Sequence, residues 1–135
     1  MSLLFDRVCI LGVGLIGGSI GMALRERKQA KHVVGVGRNA DRLIAAYKLG
    51  AIDSYETDLK LGAINADLVI ACSPVQAIPQ QLCEAAAVAS RNVLLTDVGS
   101  TKRTIVEMVD SLGLTPRFVG SHPMAGSDKC GVENA

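Results

Sequence analysis

One segment near the start of the chain restricts the possible folds more than any other. Arg7–Leu11 (RVCIL) reads as a buried strand, and Gly12-Val13-Gly14-Leu15-Ile16-Gly17 follows it at once. A G-x-G-x-x-G by itself is weak. Placed between a strand and the start of a helix, it is the turn that receives a pyrophosphate. Gly12 permits the tight turn, Gly14 has no Cβ to keep a phosphate from the backbone, and Gly17 lets helix and strand pack closely. The phosphates then face free N–H groups and the positive end of the helix dipole. Without a ligand, the same residues make a tight strand–helix turn.

The rest of the chain keeps the alternation that this beginning implies. Strands are expected at His32–Val36, Ser54–Glu56, Leu68–Ala71, Asn92–Thr96 and Arg117–Gly120. Helices are expected at Leu15–Arg27, Asp41–Leu49, Leu59–Ile64, Pro79–Ala89 and Lys102–Leu112. Leu43, Ala46 and Tyr47 share one helix face, with Gly50 as the stop, and Ile105, Met108, Val109 and Leu112 recur at helical spacing before Gly113. Apolar strands separated by helices predict a parallel sheet covered on both faces. Right-handed crossovers make it a doubly wound α/β domain of the Rossmann dinucleotide-binding type. At 135 residues, the chain has the length of one such domain.

Composition narrows the function. Lysine and arginine total 14 against 13 acids, and aromatics are 3% with no Trp. That argues against a nucleic-acid surface or a base-stacking platform. The cysteines (Cys9, Cys72, Cys83, Cys130) form no C-x-x-C pair and read as thiols of a cytoplasmic protein. His32 and His122 are far apart in sequence, so no metal site is expected. The uncharged run Val8–Leu24 resembles a membrane or signal segment in length. Its glycines, the weak charge before it and the lack of a small-residue cleavage site favour a buried strand and helix instead.

The end of the second strand selects the dinucleotide. An NAD site wants an acid there for the ribose 2′-hydroxyl, but the chain reads Gly37-Arg38-Asn39. A carboxylate would repel a 2′-phosphate, whereas Arg38 can bind one and Gly37 leaves it room. NADP is therefore expected over NAD, with a solvated surface arginine as the alternative.

Ligands of doubly wound sheets lie beyond the carboxyl ends of the strands. The fourth strand ends in Cys72-Ser73-Pro74-Val75, which is either an ordinary turn or a segment running beside a nucleotide. The fifth ends in Thr96-Asp97-Val98-Gly99-Ser100-Thr101-Lys102. Ser100 or Thr101 is a candidate helix N-cap, while a lysine in the first helical turn opposes the dipole unless an anion binds there. The last strand delivers Gly120-Ser121-His122-Pro123-Met124-Ala125-Gly126-Ser127-Asp128. His122 suits proton transfer near neutral pH, or is simply hydrogen-bonded into a loop; the residues alone leave both readings open.

Taken together, GVGLIGGSIGMAL (12–24), ACSPVQAIP (71–79), TDVGSTK (96–102) and GSHPMAGSDKCGVENA (120–135) resemble the N-terminal domain of the prephenate/arogenate (cyclohexadienyl) dehydrogenases. The first motif occurs in many dehydrogenases, and the last two together are far more specific. The resemblance implies an oxidoreductase of tyrosine biosynthesis. It removes hydride from a ring carbon of prephenate or arogenate, releases CO2 and leaves an aromatic ring. It implies that His122 accepts the ring-hydroxyl proton and that Ser100 orients hydroxyl and histidine. Asp128 and Ser127 then line the substrate pocket. Gly12, Gly14, Leu15, Ile16, Gly17, Ser73, Pro74, Val75, Asp97 and Gly99 hold the cofactor, joined by Arg38.

Members of that family continue into a helical domain that forms a homodimer, closes the substrate site and supplies an arginine for substrate carboxylate. The expectation is therefore that residues 1–135 are the cofactor-binding part of a longer parent and are catalytically incomplete alone. Two rivals stand beside this one. Another NADP-dependent dehydrogenase, of the β-hydroxyacid or imine-reducing type, would place its catalytic groups differently from the G-S-x-K and G-x-H-P pair. A non-enzymatic NADP-sensing module would suit the length, but would have no use for a proton-transfer histidine.

Overall fold

β-Branched and leucine-rich runs too short for helices become strands, and the amphipathic stretches between them become helices. In the computed structural model, residues 4–99, 102–114 and 117–120 are described. They form β1 (Phe5–Leu11), α1 (Leu15–Glu26), β2 (Ala30–Val36), α2 (Ala40–Lys48), β3 (Ser54–Glu56) and α3 (Leu59–Ala63). There follow β4 (Leu68–Ala71), a 3-10 turn (Val75–Ala77), α4 (Ile78–Val88), β5 (Leu94–Asp97), α5 (Lys102–Ser111) and β6 (Phe118–Gly120).

The six strands form one sheet in the order β3-β2-β1-β4-β5-β6, and every pair is parallel. The order reverses between β1 and β4, where a doubly wound sheet opens a crevice. Successive β1 residues serve opposite layers. Cys9 and Leu11 join Ala63, Ile78, Leu82, Ile105 and Val109 from α3, α4 and α5. Val8 and Ile10 join Ala46 of α2 with Ala51 and Ile52, against Ile20 and Met22 of α1. Burial on both faces explains why β1 and β4 read as continuous apolar runs.

The strands end level. Leu11 is register partner to both Val36 and Ala71, Val36 to Glu56, Ala71 to Asp97, and Asp97 to Gly120. These are the last residues of all six strands. The residue after each of β1 to β5 therefore stands on a common rim, and the described segments that follow those strands leave from there.

Several details differ from the sequence reading, among them β1 and β2, which begin two residues earlier than read, at Phe5 and Ala30. Tyr47 lies outside the buried stripe of α2, 52% exposed, and makes an edge-to-face pair with Tyr55. Met108 and Leu112 are also exposed, while Ile105 and Val109 are buried. In both helices the face that meets the sheet is narrower than the run of apolar residues suggests. β5 begins at Leu94 rather than Asn92, because Val93 N–H is drawn into a turn with the Ser90 carbonyl at 3.0 Å.

Candidate functional site

The rim is stitched together by the chain's own hydrogen bonds. Gly12 N–H donates to Val36 O at 2.8 Å and Cys72 N–H to Leu11 O at 2.7 Å. Ser73 Oγ donates to the same Leu11 carbonyl at 3.2 Å. Gly12 has φ +92°, a backbone conformation that L side chains rarely adopt. Gly17 lies against that turn so tightly that a Cβ would overlap the Gly12 carbonyl oxygen.

Gly14 is different, since a Cβ there would meet nothing within 4 Å. The protein leaves this space open. Gly14 is also the N-cap of α1, which has no side-chain cap and no acid in its first turn. The helix start thus keeps its donors and its positive dipole end for an anion.

Beside this turn lies a cleft of about 610 Å³. Leu11, Gly12 and Val13 form its β1 wall, and Cys72, Ser73 and Pro74 its β4 wall. Gly37, Arg38, Asn39 and Arg42 close the β2 side, while Thr57 and Leu59 come from the β3–α3 connection. Gln76, Ala77 and Gln81 arrive from the 3-10 turn and α4. None of the residues lining it is acidic, and Arg38 and Arg42 are both cationic. Asn39 caps α2 by accepting from Arg42 N–H at 3.2 Å. Arg42 therefore sits in the first helical turn beside Asp41, whose carboxylate already complements that helix start.

Of the expected cofactor residues, the cleft gathers Gly12, Arg38, Ser73 and Pro74. Leu15, Ile16 and Gly17 belong to the first turns of α1, and Val75 packs against the core layer below α4. Asp97 is wholly buried, and its Oδ2 accepts from Gly99 N–H at 2.8 Å. Gly99 has no room for a side chain, because a Cβ would press on Ile105 and Asp97. Together they fix Val98 and Gly99, the described start of the connection that follows β5. Ser100, His122, Ser127 and Asp128 lie outside the described residues, as do Cys130 and the side chain of Lys102.

The sequence reading did not single out Arg42, Thr57, Leu59, Gln76 and Gln81. Arg42 carried a signal, since it stands in the first turn of the helix that begins just after Arg38. The others come to the cleft from separate connections, and only the packing of α3 and α4 brings them there.

Cys9, Cys72 and Cys83 are free thiols. Burial pushes Cys72 up to about 12, with a smaller push from the Asp97 charge, so the thiol in the cleft wall stays protonated at neutral pH. Burial likewise raises Cys9 to about 12. Among the described residues, no group of three or more His, Cys, Asp or Glu side chains is placed to hold a metal. No helix among them is long and apolar enough to cross a membrane.

An open glycine position at an uncapped helix start, a slot with apolar walls and two arginines at one end together fit a phosphate-bearing dinucleotide. Known proteins agree. Residues 20–135 match the family model described as prephenate dehydrogenase, nucleotide-binding domain. A prephenate dehydrogenase of Bacillus subtilis is 39% identical over 137 residues, spanning 100% of this chain and 37% of that protein. A crystal structure of prephenate dehydrogenase from A. aeolicus, in complex with hydroxyphenyl propionate and NAD+, superposes with TM-score 0.89 and 34% identity. It covers 98% of this chain and 46% of that one. Synechocystis arogenate dehydrogenase gives TM-score 0.84 and 31% identity, over 96% of this chain and 45% of its own. The chain thus spans less than half the length of each of these relatives.

Proposed function

This chain belongs to the prephenate dehydrogenase family, and from that premise we propose that it provides the NADP site for oxidative decarboxylation of prephenate or arogenate in tyrosine biosynthesis. The observation that carries the NADP reading is the cleft end where Arg38 and Arg42 stand together with no acid among the lining residues. A 2′-phosphate there gains two charge-assisted partners, whereas an NAD site needs an acceptor for the 2′-hydroxyl. Gly12 and Gly14 at the start of α1 would hold the pyrophosphate. Bound in this way, the nicotinamide supplies an acceptor for hydride.

The chemistry on the substrate falls to residues that the family resemblance assigns. The ring carbon bearing the hydroxyl gives up hydride, and carbonyl character builds on its oxygen. His122 takes the hydroxyl proton as it does so, which general-base help of this kind accelerates by about 10²–10⁴-fold. The bond to the ring carboxylate then breaks, CO2 departs, and its electron pair completes the aromatic ring. Ser100 orients hydroxyl and imidazole, and Ser127 and Asp128 line the pocket. Asp97 keeps the loop before Ser100 in place through Gly99 N–H. The working protein is a cytoplasmic homodimer.

The test is turnover of prephenate and of arogenate by the full-length protein with NADP and with NAD. Turnover of at least one substrate, faster with NADP, is expected. Arg38→Ala should weaken NADP at least tenfold more than NAD, since a charge-assisted hydrogen bond is worth about 1.5–3 kcal/mol. His122→Asn should reduce kcat by about 10²-fold or more. Turnover of neither substrate rejects the enzyme reading, and equal losses of the two cofactors reject Arg38 as the selector.

A further inference from the structure

Two helices begin beside the cleft, and a side-chain oxygen caps each of them. At the start of α2, Asn39 Oδ1 accepts from Arg42 N–H at 3.2 Å. At the start of α3, Asp58 Oδ1 accepts from Lys60 N–H at 2.9 Å and from Leu61 N–H at 3.3 Å. The two caps differ in where they stand. Asn39 lines the cleft with Arg38 and Arg42, whereas Asp58 does not, although its neighbours Thr57 and Leu59 do. Asp41 and Glu56 also adjoin lining residues in sequence and stay out of the lining. Three acids thus border this end of the cleft along the chain, and none lines it.

Capping alone gives no reason for an amide at position 39. Asn and Asp cap about equally well, and a carboxylate interacts favourably with the positive end of the helix besides. Asp58 shows that a carboxylate serves as a cap in this same chain. What separates the two at position 39 is the charge that Asp would set between Arg38 and Arg42. We propose that Asn39 is a specificity-determining residue. Its neutral cap keeps the arginine end of the cleft open to a 2′-phosphate. A carboxylate in its place would repel that phosphate and accept from a 2′-hydroxyl instead. Asn39 is exposed, so the exchange needs no repacking. The inference rests on the NADP reading and adds to it a selector that acts by lacking a charge.

The experiment measures dissociation constants of NADPH and NADH by nicotinamide fluorescence, using the full-length protein. Wild type, Asn39→Asp and Asn39→Ser are each titrated at low and at high salt, about 0.05 M and about 0.5 M. Unfolding midpoints are measured alongside. Asn39→Asp should keep its midpoint, since the cap survives. It should raise the ratio of the NADPH to the NADH dissociation constant about tenfold over wild type at low salt, because like charges a few ångströms apart repel. High salt should shrink that rise severalfold, since exposed charges are screened. Asn39→Ser, a neutral cap, should leave the ratio within about threefold of wild type. A purely structural role would weaken both cofactors alike and leave the ratio unmoved at either salt. An Asn39→Asp ratio that stays near wild type, a rise that salt does not shrink, or an equal rise in Asn39→Ser overturns the inference. A wild type that binds NADH as tightly as NADPH overturns the NADP reading itself, and this inference with it.

Discussion

Two glycines three residues apart do opposite work, and a single added methyl group separates them. At Gly17 a Cβ would strike the Gly12 carbonyl oxygen, a backbone atom that cannot turn aside. Gly17→Ala is expected to destabilise the domain by about 1–3 kcal/mol, the range for overpacking a tight interface, as read by chemical denaturation. At Gly14 the added carbon meets only open space. Gly14→Ala should keep its unfolding midpoint yet lose at least tenfold in dinucleotide affinity, because the methyl group occupies the phosphate's place. A Gly14→Ala protein with unchanged affinity would show that no phosphate approaches there. Both roles follow from the G-x-G-x-x-G spacing alone. The bond from Ser73 to Leu11 does not, since it joins groups distant in sequence.

Between elements, the links are polar as well as apolar. Asp53, just before β3, joins three of them. Its Oδ2 accepts from Val33 N–H of β2 at 2.7 Å, and its Oδ1 meets Arg25 Nε of α1 at 2.9 Å. Arg25 also reaches the Gly50 carbonyl at 2.6 Å, tying the end of α1 to the turn after α2. The carboxylate and the arginine are not equal partners. Asp53→Ala leaves a strand N–H in a half-buried site without its acceptor, at about 1–3 kcal/mol. The Arg25 side chain is 37% exposed, and pairs of that kind contribute about 0–1 kcal/mol. Urea denaturation should therefore show Asp53→Ala as clearly the more damaging change, and the reverse order would mean that the ion pair governs this corner. Element identity was legible in the sequence because strands buried on both faces cannot hide their apolar runs. Stripe width was not: Tyr47, Met108 and Leu112 satisfy helical periodicity and still face out, since the width of contact is decided by the neighbouring layer.

The stability of the whole molecule depends on alkali through its buried thiols. Cys9 and Cys72 are both pushed up to about 12 by burial, against an ordinary value of 9.0. Below pH 9 the thiols are protonated whether the chain is folded or not, and the native state keeps its full advantage. Between about pH 9 and 12 only the unfolded chain loses those protons, so stability falls as pH rises, by about 1.4 kcal/mol per pH unit for each thiol. Under reducing conditions, the slope of unfolding free energy between pH 9 and 11 should be shallower in Cys72→Ser than in wild type by about that amount. Identical slopes would mean that this thiol ionises freely in the folded state. The level strand ends have a different consequence. Leu11 and Ala71 are register partners at the crevice, yet most of a second sheet half is strung between them. The two walls of the cleft therefore come from strands that are neighbours in space and far apart along the chain, so a ligand held between them draws on the whole sheet and on neither half alone.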